Sequence, residues 1–231
     1  VNEVNIGVVI AAAGQGKRMG GPVKKQFIEL AGKPVLLHTL DLFVGLEYVK
    51  EIVVVTAEED VERTRKLLAA YPQALVIPGG AERQDSVYLG ITALSSSDYV
   101  MIHDGARPFL SCSTLEKLVD AVRVKRAAIL AVPVKDTIKR TDETGVVMDT
   151  PPRKSLWAVQ TPQAFALSDI LAAHEQARKD GFLGTDDASL VERIGRAVHV
   201  VEGEYTNIKL TTPEDIVFGE AILKWRRERE Q

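Results

Sequence analysis

The stretch AAAGQGKRMG (residues 11–20) follows the apolar run 6–10 and places two glycines and two cations in one short loop. A dinucleotide fingerprint, G-x-G-x-x-G, is met by Gly14 and Gly16, but Met19 stands where its third glycine belongs. A P-loop needs four residues between its glycines and then Lys-Ser or Lys-Thr, and Met19 again occupies the second glycine position. Both templates fail. What remains is a glycine loop at the carboxyl end of a strand, carrying Lys17 and Arg18 and followed by Lys24 and Lys25. Backbone N–H groups in such a loop can approach a phosphate closely, and like charges repel unless an anion joins them, so the loop suits a triphosphate. Lys17 and Lys24 read individually as solvated.

Outward from the loop, apolar runs at 8–12, 52–56, 74–77, 99–102 and 128–134 read as buried strands, too short and too branched to make good helices. Helical periodicity fills the gaps at 35–43, 61–71, 86–94 and 115–124, and returns at 168–179 and 186–194 before a strand at 199–201. Thr212, Pro213, Glu214 and Asp215 form a helix start: cap, first-turn proline, and acids where the helix dipole favours them. Strand–helix alternation predicts an α/β, Rossmann-like, mainly parallel twisted sheet with helices on both faces. Ligands of such sheets sit beyond the carboxyl ends of the strands. From 136 to 161 the alternation breaks around the polar turn at Thr144-Gly145, which predicts a projecting β-arm on one domain spanning 1–231. A two-stranded arm is marginal alone in water, so a second copy of the chain is its expected partner, giving a homodimer.

The 231 residues are 45% hydrophobic and 26% charged, enough to bury one core. A formal charge of -3 argues against a general nucleic-acid binder. Cys112 is the only cysteine, which excludes a disulfide framework and makes the reducing cytoplasm the expected setting. The apolar run at 6–10 follows Glu3 rather than basic residues and is not expected to be a secretory leader. No stretch approaches the roughly 20 apolar residues of a membrane span, so no membrane association is expected. No Ser-His-Asp or Cys-His grouping stands out, and His103 reads as structural.

The pattern AAAGxGxRM, then Lys25-Gln26 and Gly32-Lys33-Pro34-Val35, resembles the opening of the sugar-nucleotidyltransferase-like superfamily. Further along, GGAERQDSV (79–87), HDGARPF (103–109), PVKDTIKR (133–140), LWAVQTPQAF (156–165), GTDDASLVE (184–192) and NIKLTTPED (207–215) resemble, in order, the 2-C-methyl-D-erythritol 4-phosphate cytidylyltransferase family of the non-mevalonate isoprenoid pathway. The resemblance implies transfer of a cytidylyl group from CTP to methylerythritol phosphate: the polyol's phosphate attacks the α-phosphorus in line, and pyrophosphate leaves. Catalysis is then positioning and charge stabilisation, without a covalent nucleophile.

By this resemblance Arg18, Lys25, Arg153 and Lys209 are catalytic, the first two at the α-phosphate and leaving pyrophosphate, the last two on the attacking phosphate. Ala12, Ala13, Gly14, Gly16, Gly80, Arg83, Ser86, Asp104 and Gly105 are implied to bind CTP. Arg107, Thr137, Thr161, Thr185 and Asp186 are implied to bind the polyol phosphate, and Asp104 to hold Mg²⁺ or another divalent cation with the CTP phosphates. Arg153, on the arm, would reach the neighbouring subunit's pocket. On composition alone Gly79-Gly80 and Asp104-Gly105 are equally turns, Ser86 a helix-start residue and Arg153 a solvated loop residue. Ribitol 5-phosphate is the alternative acceptor, and a nucleotide-binding regulatory subunit without turnover the alternative from outside the enzymes.

Overall fold

Ile6, Val8, Val9 and Ile10 lose all solvent contact in strand β1 (Ile6–Ala12), whose even positions face one side of a sheet and Val9 the other. A strand apolar on both faces has to lie inside a sheet covered twice. In the computed structural model, which describes residues 4–14 and 23–230, β1 is the fifth of seven strands. Gly16, Lys17 and Arg18 lie outside the described residues.

The remaining elements follow the chain as β2 (Glu29–Leu30), β3 (Lys33–Pro34), α1 (Val35–Asp41), β4 (Val49–Thr56), α2 (Val61–Leu67), β5 (Ala74–Pro78), α3 (Arg83–Thr92), β6 (Tyr99–Asp104), α4 (Cys112–Lys125) and β7 (Ala127–Pro133). A small hairpin, β8 (Arg140–Thr141) and β9 (Val147–Asp149), precedes β10 (Trp157–Ala166), α5 (Leu167–Asp180), α6 (Asp187–Arg193), β11 (His199–Glu202) and α7 (Pro213–Glu230). The large sheet has the order β11-β7-β10-β6-β1-β4-β5; all its neighbours pair in parallel except β10, which is antiparallel to both β6 and β7.

The sheet's two faces bury separate cores. Val8, Ile10, Ile52, Val54 and Met101 meet Leu36 and Leu40 of α1, Val61 of α2, and Leu115, Leu118 and Val122 of α4. Val9, Val53, Val100, Ile102 and Phe165 meet Val87 and Ile91 of α3, Ile170, Ala173 and Ala177 of α5, and Leu190 and Val191 of α6. Each fully buried Val, Leu, Ile or Phe contributes about 1.5–3 kcal/mol by leaving water. A third cluster, Leu30, Val35, Phe109 and Leu210, docks α7 through Ile216, Ile222 and Leu223.

The expected mainly parallel sheet, covered on both faces, is therefore present. The segment 136–161 divides instead of forming one arm. Its first part holds the exposed β8–β9 hairpin, whose turn is tied by Asp142 accepting from the N–H groups of Thr144 and Val146. Residues 157–161 belong to β10 of the main sheet, exposed at 157–159 and buried from Gln160 onward. Pro162 hides this strand in the sequence, because proline has no N–H for a central ladder. The fold accommodates it where the register of β10 against β7 shifts between Val159 and Gln163, with the Thr161–Pro162 peptide bond cis.

Candidate active site

The parallel strands deliver their carboxyl ends to one side, and the loops leaving β1, β4, β5 and β6 enclose a cleft of about 640 Å³. Ala12, Ala13, Gly14, Lys25, Gly80, Arg83, Ser86, Asp104, Gly105 and Lys209 all line it, so the described members of the expected CTP-binding set meet in one place with Lys25 and Lys209. Lys25 sits on a single 3-10 turn, Lys25–Phe27, anchored by the neighbouring Gln26, whose buried amide donates to Ala12 O at 3.0 Å. Lys24, expected in solvent, is ion-paired instead, 2.7 Å from Glu59 and also bound to Asp60.

On the β5 side the backbone lies against the start of α3. A Cβ on Gly79 would stand 2.5 Å from Ser86 Oγ, so glycine is required for this approach. Gly80 N–H donates to Ser86 Oγ at 3.1 Å, and that hydroxyl donates to Glu82 O at 3.1 Å. Glu82 and Asp85 form a reciprocal capping box at the helix start. The turn reading and the cleft-wall reading of Gly79-Gly80 thus describe the same atoms.

Opposite, three cations converge on one carboxylate. Asp104 lies 2.8 Å from Lys209 Nζ, 3.4 Å from Arg83 and 3.6 Å from Arg107. Burial pushes the Asp104 carboxyl up, but the charges of Arg83 and Lys209 outweigh it and hold the group well below the usual carboxylate range. Arg83 has a second anion, the buried Asp187, which takes both its terminal nitrogens at 3.1 and 2.9 Å. With Arg83, Arg107 and Lys209 against Asp104 and Asp187, the cluster keeps surplus positive charge, which favours an entering polyanion. His103, one residue before Asp104, is fully buried, and desolvation lowers its pKa to about 4.

The expected polyol-phosphate residues are dispersed. Arg107 and Thr161 lie behind the cleft wall: Arg107 donates to Asn207 O at 2.7 Å, and Thr161 is buried with its hydroxyl accepting from Asp104 N–H at 3.0 Å. Thr185 and Asp186 border a smaller depression of about 100 Å³ that also touches Arg83. Asp186 caps α6 by accepting from Ser189 N–H at 2.9 Å and also accepts from Gln163. Thr137 and Arg153 are exposed near the hairpin; Arg153 donates to Lys135 O at 2.7 Å, and neither residue lines the cleft of its own chain.

Asp187, Gln26 and Asn207 stand in or beside the quoted motifs, yet nothing in those motifs marks them as site residues. An acid in the first turn of a helix is ordinarily explained by the helix dipole, so no local pattern marked Asp187 as the clamp on an arginine from α3, 104 residues earlier. Asn207 donates to Gln160 Oε1 and to Thr161 O at 3.1 and 2.9 Å, tying the segment that carries Lys209 to β10.

A family model described as 2-C-methyl-D-erythritol 4-phosphate cytidylyltransferase matches residues 6–225. A protein of that name from Halalkalibacterium halodurans is 51% identical over 225 residues, covering 96% of this chain and 98% of the relative. Another from Bacillus velezensis is 53% identical over 221 residues, covering 94% and 95%. Among solved structures, a 4-diphosphocytidyl-2C-methyl-D-erythritol synthase from Anaerococcus prevotii superposes with a TM-score of 0.87 at 38% identity, covering 97% of this chain and 98% of that one. Likeness over this whole length, with Lys25, Arg83 and Lys209 lining the cleft at the motif positions, places the chain in the 2-C-methyl-D-erythritol 4-phosphate cytidylyltransferase family.

Proposed function

We infer that the chain transfers a cytidylyl group from CTP to 2-C-methyl-D-erythritol 4-phosphate in isoprenoid biosynthesis, giving 4-CDP-2-C-methyl-D-erythritol and pyrophosphate. The observation that carries the site is the convergence of Arg83, Arg107 and Lys209 on Asp104, in a cleft that Lys25 also lines. A phosphate oxygen of the polyol forms a bond to the α-phosphorus while the bond from that phosphorus to the bridging β-oxygen breaks. The electron pair leaves with pyrophosphate, and no protein atom joins the substrate.

Each side chain then has an electrostatic task. Lys25 neutralises charge at the α-phosphate and leaving group, with Arg18 assigned the same task by family resemblance. Lys209 holds the attacking phosphate beside Asp104, with Arg153 assigned the same task by family resemblance, and Arg107 backs Asp104 from behind the cleft wall. The backbone at Ala12, Ala13 and Gly14 cradles the triphosphate, and the wall at Gly80 and Ser86 accommodates the base. Among the described residues no group of three or more His, Cys, Asp or Glu side chains is placed to hold a metal. A single carboxylate with nucleotide phosphates is nonetheless a common Mg²⁺ environment, and Asp104 supplies that carboxylate. Mg²⁺ or another divalent cation entering with CTP would neutralise phosphate charge there.

Thr137 and Arg153 act in the site of a second copy in this reading, which makes the working unit a homodimer. Support comes from Val146, Val147 and Met148, apolar yet exposed on and beside β9. Among the described residues no helix is long and apolar enough to cross a membrane, and the exposed thiol of Cys112 agrees with a reducing cytoplasm.

The test is incubation with CTP, Mg²⁺ and a panel of polyol phosphates, following pyrophosphate. Release with methylerythritol phosphate is expected. Release only with ribitol 5-phosphate would reassign the acceptor, and release with none would indicate a nucleotide-binding protein without turnover.

A further inference from the structure

Strand β6 ends at Asp104, and the chain turns at once, Arg107 N–H donating to Asp104 O at 3.1 Å. The middle of this turn is fixed from outside: Thr39 Oγ1 donates to Gly105 O at 2.8 Å, and Leu210 N–H to Ala106 O at 2.9 Å. Its two ends are joined through side chains that lie beneath the cleft. Asp104 N–H donates to Thr161 Oγ1 at 3.0 Å, and the same oxygen stands 3.0 Å from His103 Nδ1. The other ring nitrogen, Nε2, is 2.9 Å from Arg107 O.

The chemistry of the partners fixes every direction. A carbonyl only accepts, so His103 Nε2 carries the proton and donates to Arg107 O. Nδ1 of that neutral ring is then an acceptor, and Thr161, having accepted from Asp104, gives its one hydroxyl hydrogen to it. The result is a one-way chain from Asp104 N–H through Thr161 and His103 to Arg107 O, closing on the turn it started from. The imidazole is fully buried and edge-packed on Phe43, with ring centroids 5.2 Å apart.

We propose that His103 is a positioning residue for cytidylyl transfer, acting with Thr161 to clamp both ends of the turn that presents Asp104, backed by Arg107, to the reacting phosphates. This rests on the cytidylyltransferase reading of the site. A histidine that only filled core volume would be replaceable by Phe, whereas a clamp needs one donor and one acceptor on opposite sides of the ring. Thr161, a substrate ligand by family resemblance, becomes the connector between the turn and the ring. Small displacements of charge-stabilising groups are expensive in rate, so loosening the clamp acts on turnover before it acts on nucleotide binding.

The experiment measures kcat, KM for each substrate and melting temperature for wild type, His103→Phe, His103→Gln, Thr161→Val and Thr161→Ser. His103→Phe and Thr161→Val are each expected to lower kcat roughly 10- to 100-fold, the usual cost of losing an orienting partner, with KM for CTP little changed. Thr161→Ser keeps the hydroxyl and should recover most of the rate. The double variant His103→Phe, Thr161→Val should be no slower than the worse single variant, because one break already opens the chain.

A His103→Phe enzyme with wild-type kcat and only a lower melting temperature would overturn the proposal. So would equal damage from Thr161→Ser and Thr161→Val, or additive losses in the double variant, which is the result expected if Thr161 touched substrate independently. If His103→Phe does not fold, His103→Gln takes its place in the double variant and the Thr161 pair decides. Wild type that releases no pyrophosphate with any polyol phosphate would instead defeat the functional reading, a separate outcome visible before any variant is compared.

Discussion

Arg83 and Asp187 form a two-pronged ion pair, Nη1 and Nη2 meeting the two carboxylate oxygens at 3.1 and 2.9 Å, and this leaves Arg83 Nε facing Asp104 at 3.4 Å. A planar guanidinium held at both tips cannot swing, so its third nitrogen is aimed rather than merely nearby. The buried Asp187 raises the already high pKa of Arg83 further against the cost of burial, and the cation is permanent. Asp187→Asn keeps the volume but removes the charge and one acceptor. It should raise KM for CTP several-fold and cost about 1–3 kcal/mol of stability, the range for a charged hydrogen bond lost at a buried group. Steady-state kinetics beside urea denaturation checks both; an unchanged KM with only the stability loss would make the pair a structural strut.

Away from the cleft, Glu51 on β4 gathers the loop after α3. Its carboxylate accepts from Ser95 N–H at 2.8 Å, Ser95 Oγ at 2.6 Å, Ser96 N–H at 3.0 Å and Ser97 Oγ at 2.6 Å. Partial burial pushes the carboxyl up, but these donors prevail and bring it from 4.5 down to about 2. A carboxylate depressed on folding contributes stability that is complete above its unfolded value and is lost as pH falls toward the folded one. Glu51→Gln should therefore destabilise by about 2 kcal/mol at pH 7. The gap from wild type should close between roughly pH 4.5 and pH 2. Denaturation at a series of pH values gives the curve, and a gap constant down to pH 2 would contradict it.

Gly90 lets α3 lie against the sheet. A Cβ there would sit 2.4 Å from Val9 Cγ1 and 2.9 Å from Val55 Cγ2, both on fully buried residues. Alanine normally favours a helix over glycine by about 1 kcal/mol. Here overpacking opposes that gain, and Gly90→Ala should lower stability by about 1–3 kcal/mol. Since Arg83 and Ser86 stand on the same helix, CTP binding should weaken as well. Calorimetric melting and CTP titration together test this; a stabilised variant would refute the close approach.

The parallel strands and their helices were legible because burial on two faces leaves continuous apolar runs and amphipathic helices leave a 3.6-residue period, as in β4 and α4. Antiparallel β10 was not, since Pro162 interrupts it and its pairing is repaired by neighbours more than twenty residues away in sequence. In the site, Asp104 at a strand end followed from local pattern. Asp187, Gln26 and the His103–Thr161 connection depend on which side chains meet across the fold, information that no single motif contains. Arg153 shows the opposite case: a motif match named it, yet within one chain its guanidinium turns to Lys135 O.

That last position yields a test of assembly. If Arg153 works in the cleft of a second copy, each site combines Lys25 of one subunit with Arg153 of the other. Lys25→Ala and Arg153→Ala enzymes should each lose on the order of 10²-fold in kcat, as expected for one transition-state donor. A mixed dimer of the two variants contains one site with both residues intact and one with neither. Unfolding, mixing and refolding equal amounts should put half the molecules in mixed dimers. Activity should then rise to about one quarter of wild type per dimer, because half the dimers carry one good site of two. Mixing titrations with pyrophosphate readout measure this directly. Activity that stays at the average of the two variants, in a sample that light scattering shows to be dimeric, would place Arg153 outside the reaction or confine it to its own subunit.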